Sequence, residues 1–154
     1  MAVNRPDKRA FIFVSSKRTS EMDDSEKIER NKKFIFRYAA AVNSLDVANG
    51  VEDIMRKFTD NESYIRLVLT FRNGFPDYSI FFEDMTAEGD FVIVHGILKG
   101  THSGEIFGIP ATFRKVEYPI MIKYHVVNDR ILNAWPMQDN MELFEQLGAI
   151  SKPV

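Results

Sequence analysis

From Val116 to Val126 the chain alternates almost without fault, with Val116, Tyr118, Ile120, Ile122, Tyr124 and Val126 at one parity and Glu117, Lys123 and His125 at the other. Side chains on a strand point to opposite faces with a period of two, so this segment predicts a strand with one face on a core and one toward solvent. Asn128-Asp129-Arg130 follows as a tight-turn signal, and Ile131 to Trp135 returns as the partner strand of a hairpin. Upstream, Tyr78, Ile80 and Phe82 alternate with Ser79, Phe81 and Glu83. Glu88-Gly89-Asp90 then turns into Phe91 to Lys99, a strand apolar on both faces.

The first half of the chain has a different period. Asp23-Asp24-Ser25 offers N-cap oxygens, and Ile28, Phe34, Ile35, Tyr38, Ala39 and Val42 recur at helical spacing, which predicts a helix from about Ser25 to Asn43. Asp46 to Lys57 is weakly periodic and broken by Gly50, so a short second helix is the most it supports. Thr59-Asp60-Asn61-Glu62 has the spacing of a capping box, with Tyr64, Ile65, Leu67, Val68 and Phe71 forming one apolar face before Gly74 and Pro76 end the helix. Met141 to Leu147 makes a closing helical turn. Helices followed by a run of antiparallel strands predict an α+β fold, helices packed on one face of a curved sheet.

At 154 residues, 45% of them hydrophobic, the chain is long enough for one domain with its own core, which we expect to span 23–154. Residues 1–22 are expected to be a basic tail, in which Arg5, Lys8, Arg9, Lys17 and Arg18 oppose only Asp7 and Phe11-Ile12-Phe13-Val14 could add an edge strand. A net charge of −2 writes no general attraction to nucleic acid or anionic membrane, and the apolar runs are too short for a span. The absence of cysteine removes disulfides and thiolate chemistry together and fits a reducing, cytoplasmic setting. Met121 and Val127 among Lys123 and His125 suggest a homodimer interface on the outer sheet face.

The common chemical motifs fail one by one. Gly96-Ile97-Leu98-Lys99-Gly100 lacks the ending of a phosphate loop, and no G-x-S-x-G elbow exists. Three histidines, His95, His102 and His125, stand too far apart in sequence to suggest a metal site, so no metal is expected. General acid–base chemistry by a carboxylate remains. Asp139, four residues after Trp135, could sit at the rim of a cavity with its pKa raised by apolar walls, or could cap the last helix. His102 ends a strand in a Gly- and Ser-rich loop, a common location for functional groups. His125 shares the parity of Lys123, which points it outward unless a bulge turns the strand.

From about Phe75 to Gly148 the sequence resembles the SnoaL-like polyketide cyclases and the related predicted ester cyclases. The matching pieces, in order, are Phe75-Pro76-Asp77-Tyr78, Glu88-Gly89-Asp90, Gly100-Thr101-His102-Ser103-Gly104, Phe107-Gly108-Ile109-Pro110, Arg130-Ile131, Trp135 with Asp139, and Gln146-Leu147-Gly148. The resemblance implies the cone-shaped α+β fold shared with ketosteroid isomerase and scytalone dehydratase, a curved antiparallel sheet wrapped around helices and enclosing an apolar pocket. It further implies a cofactor-free intramolecular aldol condensation on a small apolar carbonyl compound, with Asp139 taking the proton beside the carbonyl and His102 stabilising the oxyanion. Phe107, Ile109, Tyr118 and Trp135 would form walls, with His125 a further contact. Ala111-Thr112-Phe113-Arg114-Lys115 departs from the proline-threonine-glycine-lysine run of many relatives, and residues 46–59 match no polar pocket residues of the cyclases. The alternative is a non-catalytic module of the same fold that holds a small ligand or a partner subunit.

Overall fold

The computed structural model describes residues 23–44 and 50–151; the basic segment 1–22 and its apolar run lie outside the described residues. Helices α1 (Asp24–Asn43), α2 (Val51–Arg56) and α3 (Glu62–Gly74) precede strands β1 (Ser79–Glu88), β2 (Phe91–Thr101), β3 (Lys115–Val127) and β4 (Arg130–Gln138), and α4 (Asn140–Leu147) closes the chain. The strands form one antiparallel sheet in sequence order. This is the α+β architecture anticipated from the change of period, with each strand longer than its pattern suggested.

The alternation in β3 is realised in full. Val116, Tyr118, Ile120, Ile122, Tyr124 and Val126 are all buried, and their neighbours on β2, Val92, Val94 and Leu98, share that face. Against it pack Phe34, Ile35, Tyr38 and Val42 of α1 and Tyr64, Ile65, Val68 and Phe71 of α3. The register slips at Glu83, an extra residue of β1 between Phe82 and Asp84, and at Leu132, an extra residue of β4 opposite the His125–Val126 step of β3. Such bulges bend strands and increase twist, which lets one face of a four-stranded sheet curl around two helices. Asn128 and Asp129 both hold positive φ, at 49° and 55°, so the β3–β4 link is a two-residue turn whose twist matches the strands it joins.

α1 is strapped along β1. Asn43 exchanges two hydrogen bonds with the Ile80 backbone, its Nδ2 donating to Ile80 O at 2.9 Å and its Oδ1 accepting from Ile80 N at 3.2 Å. At the far end Asn31 donates to Gly89 O at 3.3 Å and Lys27 pairs with Asp90 at 2.7 Å. Arg72 of α3 is buried, and its guanidinium donates to the carbonyls of Val42, Pro76 and Tyr78 at 2.6, 3.2 and 2.8 Å. One side chain thereby joins the end of α1, the turn after α3 and the start of β1.

The capping box is not formed. α3 starts at Glu62 with Asn61 as its cap, the Asn61 Oδ1 accepting from Tyr64 N at 3.0 Å. Thr59 is buried, and its hydroxyl donates to Ile131 O at 2.7 Å, so it pins the α2–α3 link to β4. Glu62 turns instead to Arg56, at 2.7 Å on the surface.

The loop after β2 folds back on the end of α3. Ser103 N and Gly104 N both donate to Gly74 O, at 2.9 and 3.1 Å, and a Cβ on Gly104 would stand 2.0 Å from Asn73 O. Only backbone movement could relieve that contact. Gly104→Ala is therefore expected to lower stability by about 1–3 kcal/mol, the range for overpacked interiors; urea unfolding checks it, and an unchanged midpoint would show that the loop does not need this approach.

Candidate functional site

Between the two helices and the inner sheet face lies a cavity of about 460 Å³, within the range of small-molecule sites. α1 supplies Tyr38, Val42 and Asn43, α3 supplies Tyr64, Leu67, Val68 and Phe71, and the sheet supplies Ile80, Phe82, Leu98, Ile120, Ile122 and Tyr124. Pro136, Met137, Gln138 and Asn140 line the side where β4 runs into α4. Among the described residues the wall carries no carboxylate, imidazole, ammonium or guanidinium. Its polar groups are tyrosine hydroxyls and side-chain amides.

Three of the tyrosines meet. Tyr38 OH lies 2.8 Å from Tyr64 OH, which lies 3.4 Å from Tyr124 OH, while Tyr124 edges against both other rings at 6.1 and 6.3 Å. Two hydrogen bonds join three hydroxyl protons. Whichever way the hydroxyls rotate, one proton stays uncommitted within the cluster, and a chain of polarised hydroxyls is a stronger donor than an isolated one. Burial pushes all three hydroxyls well above the usual phenol range, and repulsion from a neighbouring phenolate adds to it, from Tyr124 at Tyr38, from Tyr38 at Tyr64 and from Tyr64 at Tyr124. At neutral pH the cluster donates and does not act as a base.

The expected catalytic pair is not brought together there. Asp139 is exposed, one residue past β4, and its Oδ1 accepts from Glu142 N at 3.0 Å as the N-cap of α4. Its neighbours Gln138 and Asn140 line the cavity and hydrogen-bond to each other at 2.9 Å, while the intervening Asp139 side chain is outside the lining. His102 is fully buried outside the cavity wall, with Nδ1 2.9 Å from Thr112 Oγ1 and 3.2 Å from Thr112 N and its ring against Phe75 at 5.2 Å. Burial lowers its pKa, a backbone bond with Gly104 opposing in part.

The expected walls divide. Phe107 lines the cavity and is half exposed at its rim, held by a two-residue turn in which Phe107 and Gly108 take φ of 51° and 76° between the paired Ile106 and Ile109. Ile109 packs on the core outside the lining. Tyr118 is buried behind the wall, its hydroxyl 3.5 Å from Gln138 Oε1. Trp135 is 44% exposed on the outer face, because its register partner is the outward Lys123. His125 stacks on Phe91 at 4.7 Å on that same face; the bulge opposite it adds its extra residue, Leu132, to β4, so the parity of β3 is kept and His125 stays outward.

Periodicity placed Tyr38, Tyr64 and Tyr124 on inward faces but could not show their hydroxyls converging, since they come from three elements. A tyrosine in an apolar stripe reads as core, and only the packing of α1 and α3 over β3 makes it a site.

A sequence profile of the SnoaL-like polyketide cyclases matches residues 33–147. The chain belongs to that family. Among solved structures it is similar to a putative SnoaL-like polyketide cyclase from Jannaschia sp. CCS1, with TM-score 0.71 and 19% identity over 84% of this chain and 99% of that one. A putative polyketide cyclase, IdmH of Streptomyces antibioticus, gives TM-score 0.64 and 24% identity over 77% and 99% of the two chains. AclR of Streptomyces galilaeus, a putative hydroxylase, gives 0.68 and 19% over 82% and 86%. These likenesses establish the cone-shaped fold. No curated protein matches the chain.

Several pieces of the SnoaL-like motif series hold one another. Asp77 accepts from Thr101 N and Oγ1 at 2.7 and 2.8 Å, and His102 lies on Phe75. Gln146 bonds both backbone groups of Glu117 at 2.8 Å, fastening α4 to β3.

Two measurements check these placements. Because the folded-state pKa of His102 lies below its ordinary 6.5, the unfolded chain binds more protons as pH falls below about 6.5 and stability drops there. His102→Gln is expected to flatten that acid loss between pH 7.5 and 5.5 in urea titrations, whereas an equally steep loss would mean that another group causes it. Asp139→Ala is expected to lower the unfolding free energy by about 1 kcal/mol, the usual worth of an N-cap. No loss would show that the cap is dispensable.

Proposed function

We propose that this member of the SnoaL-like family binds a small, mostly apolar compound carrying a carbonyl or hydroxyl oxygen, with that oxygen seated on the Tyr38–Tyr64–Tyr124 cluster. The observation that carries the reading is an apolar cavity whose convergent polar groups are hydroxyls with one proton to spare. Apolar walls supply affinity by burial, and a single donor cluster fixes orientation, the usual division of labour in such sites.

Aldol cyclisation asks for more. A base must stand within hydrogen-bond reach of the proton to be removed. Asp139 and His102 lie off the wall, and the tyrosines are held protonated, so the positions favour ligand binding by the family fold over acid–base turnover by that pair. The cluster would polarise a bound carbonyl, which is what a donor can do without a base.

Titration with 1-phenyl-1,3-butanedione, a small aromatic β-dicarbonyl, tests this by calorimetry. Saturable binding is expected, weakened about three- to tenfold by Tyr124→Phe, as befits loss of one neutral hydrogen bond. Recovery of the compound unchanged supports the binding reading. A new product that disappears in Asp139→Asn would restore the catalytic one, and absence of saturable binding to millimolar concentration would overturn the proposal.

A further inference from the structure

The mouth of the cavity lies between the loop after β2, the end of β4 and the start of α4, whose Phe107, Met137 and Asn140 are the exposed members of the wall. Phe107 reaches across it. Its ring meets Phe71 of α3 at 5.8 Å and Phe144 of α4 at 6.2 Å, edge to face with both. Phe71 is itself cavity wall, whereas Phe144 packs on the core outside the lining, so the ring bridges the roof helix and the closing helix.

The backbone beneath that ring is costly. Positive φ at both Phe107 and Gly108, 51° and 76°, makes a turn for which Asn-Gly is the favoured pair, and a bulky side chain in the left-handed region persists only where its surroundings hold it. Here the surroundings do so. Ile106 is buried against Gly74 and exchanges backbone hydrogen bonds with Ile109 at 3.1 and 2.9 Å, while Ser103 and Gly104 tie the base of the loop to Gly74 O. Beyond this frame the tip stands clear of the body, since a Cβ on Gly108 would meet nothing within 4 Å. The frame is fixed, and the half-exposed Phe107 ring is the part with free space beside it.

We propose that the Phe107 ring is the door of the cavity: a ligand enters or leaves only when the ring turns out of its slot between Phe71 and Phe144. The inference rests on the binding reading above and concerns how fast that site exchanges its ligand. A wall residue adds contact area to the filled cavity, so losing it speeds departure and weakens binding together. A door covers the empty and the filled cavity alike. Its removal speeds entry and departure by the same factor and leaves their ratio, the affinity, nearly unchanged.

The probe is 1-phenyl-1,3-butanedione, its dissociation rate taken from NMR line shapes of its methyl group and its affinity from calorimetry. Phe107→Ala is expected to raise the association and dissociation rates by about tenfold or more each while affinity moves by less than about threefold. Should that variant fail to fold, Phe107→Asn, a residue at home in the left-handed region, is expected to do the same. Phe113→Ala, in the same loop with φ of 59° but off the lining, is expected to leave both rates unchanged. A dissociation rate that rises only in step with a loss of affinity would make Phe107 an ordinary wall and overturn the inference. Unmoved rates, equal acceleration by Phe113→Ala, or wild-type association already near the diffusional ceiling of about 10⁸–10⁹ M⁻¹s⁻¹ would overturn it too. Each of these leaves the binding reading standing; no saturable binding of the probe would remove both.

Discussion

The joint made by Arg72 governs how the helices sit on the sheet. A planar guanidinium with its donors in a fixed fork can hold several carbonyls at set angles, and here it takes one from the end of α1, one from the turn after α3 and one from the start of β1. The two helices that roof the cavity are thereby tied to the first strand of its floor. Placing this charge against the Tyr78 ring costs desolvation energy, which the three carbonyls offset.

Around that joint, the pieces of SnoaL-like sequence are chiefly a frame. Asp77 clamps Thr101, Gly104 lets the following loop approach α3, and Gln146 imitates a strand partner for Glu117. Phe107-Gly108 is a turn that sets an aromatic at the rim of the cavity. None of these groups is a base facing the cavity. A motif that specifies where backbone must turn or approach closely can be shared by proteins with different chemistry, because chemistry is carried by the few side chains that face the ligand.

The sheet separates two surfaces of different character. Its inner face is the tyrosine and aliphatic wall, while its outer face carries Phe81, Phe91, Met121 and Trp135 with Lys123 lying over two of the rings, 4.3 Å from Phe91 and 5.6 Å from Trp135. A one-residue shift in register would exchange the two faces. The β3 alternation makes that shift prohibitive, since it would place Glu117 and Lys123 in the core.

By itself the sequence determined the periodicities, and with them the order of helices and strands, the parity of β3 and the core residues of α1 and α3, because burial of one face imposes its period on the chain. It also carried the family, since turn and close-approach residues leave local signatures such as Glu88-Gly89-Asp90 and Phe107-Gly108. The tertiary structure decided the site. Asp139 had two local readings, and the path of the chain from Gln138 to Asn140 selected the cap. His102 looked like a loop histidine and proved to be fully buried, because its loop folds onto α3. Tyr38, Tyr64 and Tyr124 read as core residues until three elements, separated by tens of residues, brought their hydroxyls into one cluster. Local spacing records which face a side chain occupies; whether that face meets packed atoms or an open cavity depends on contacts between elements that the sequence pattern does not contain.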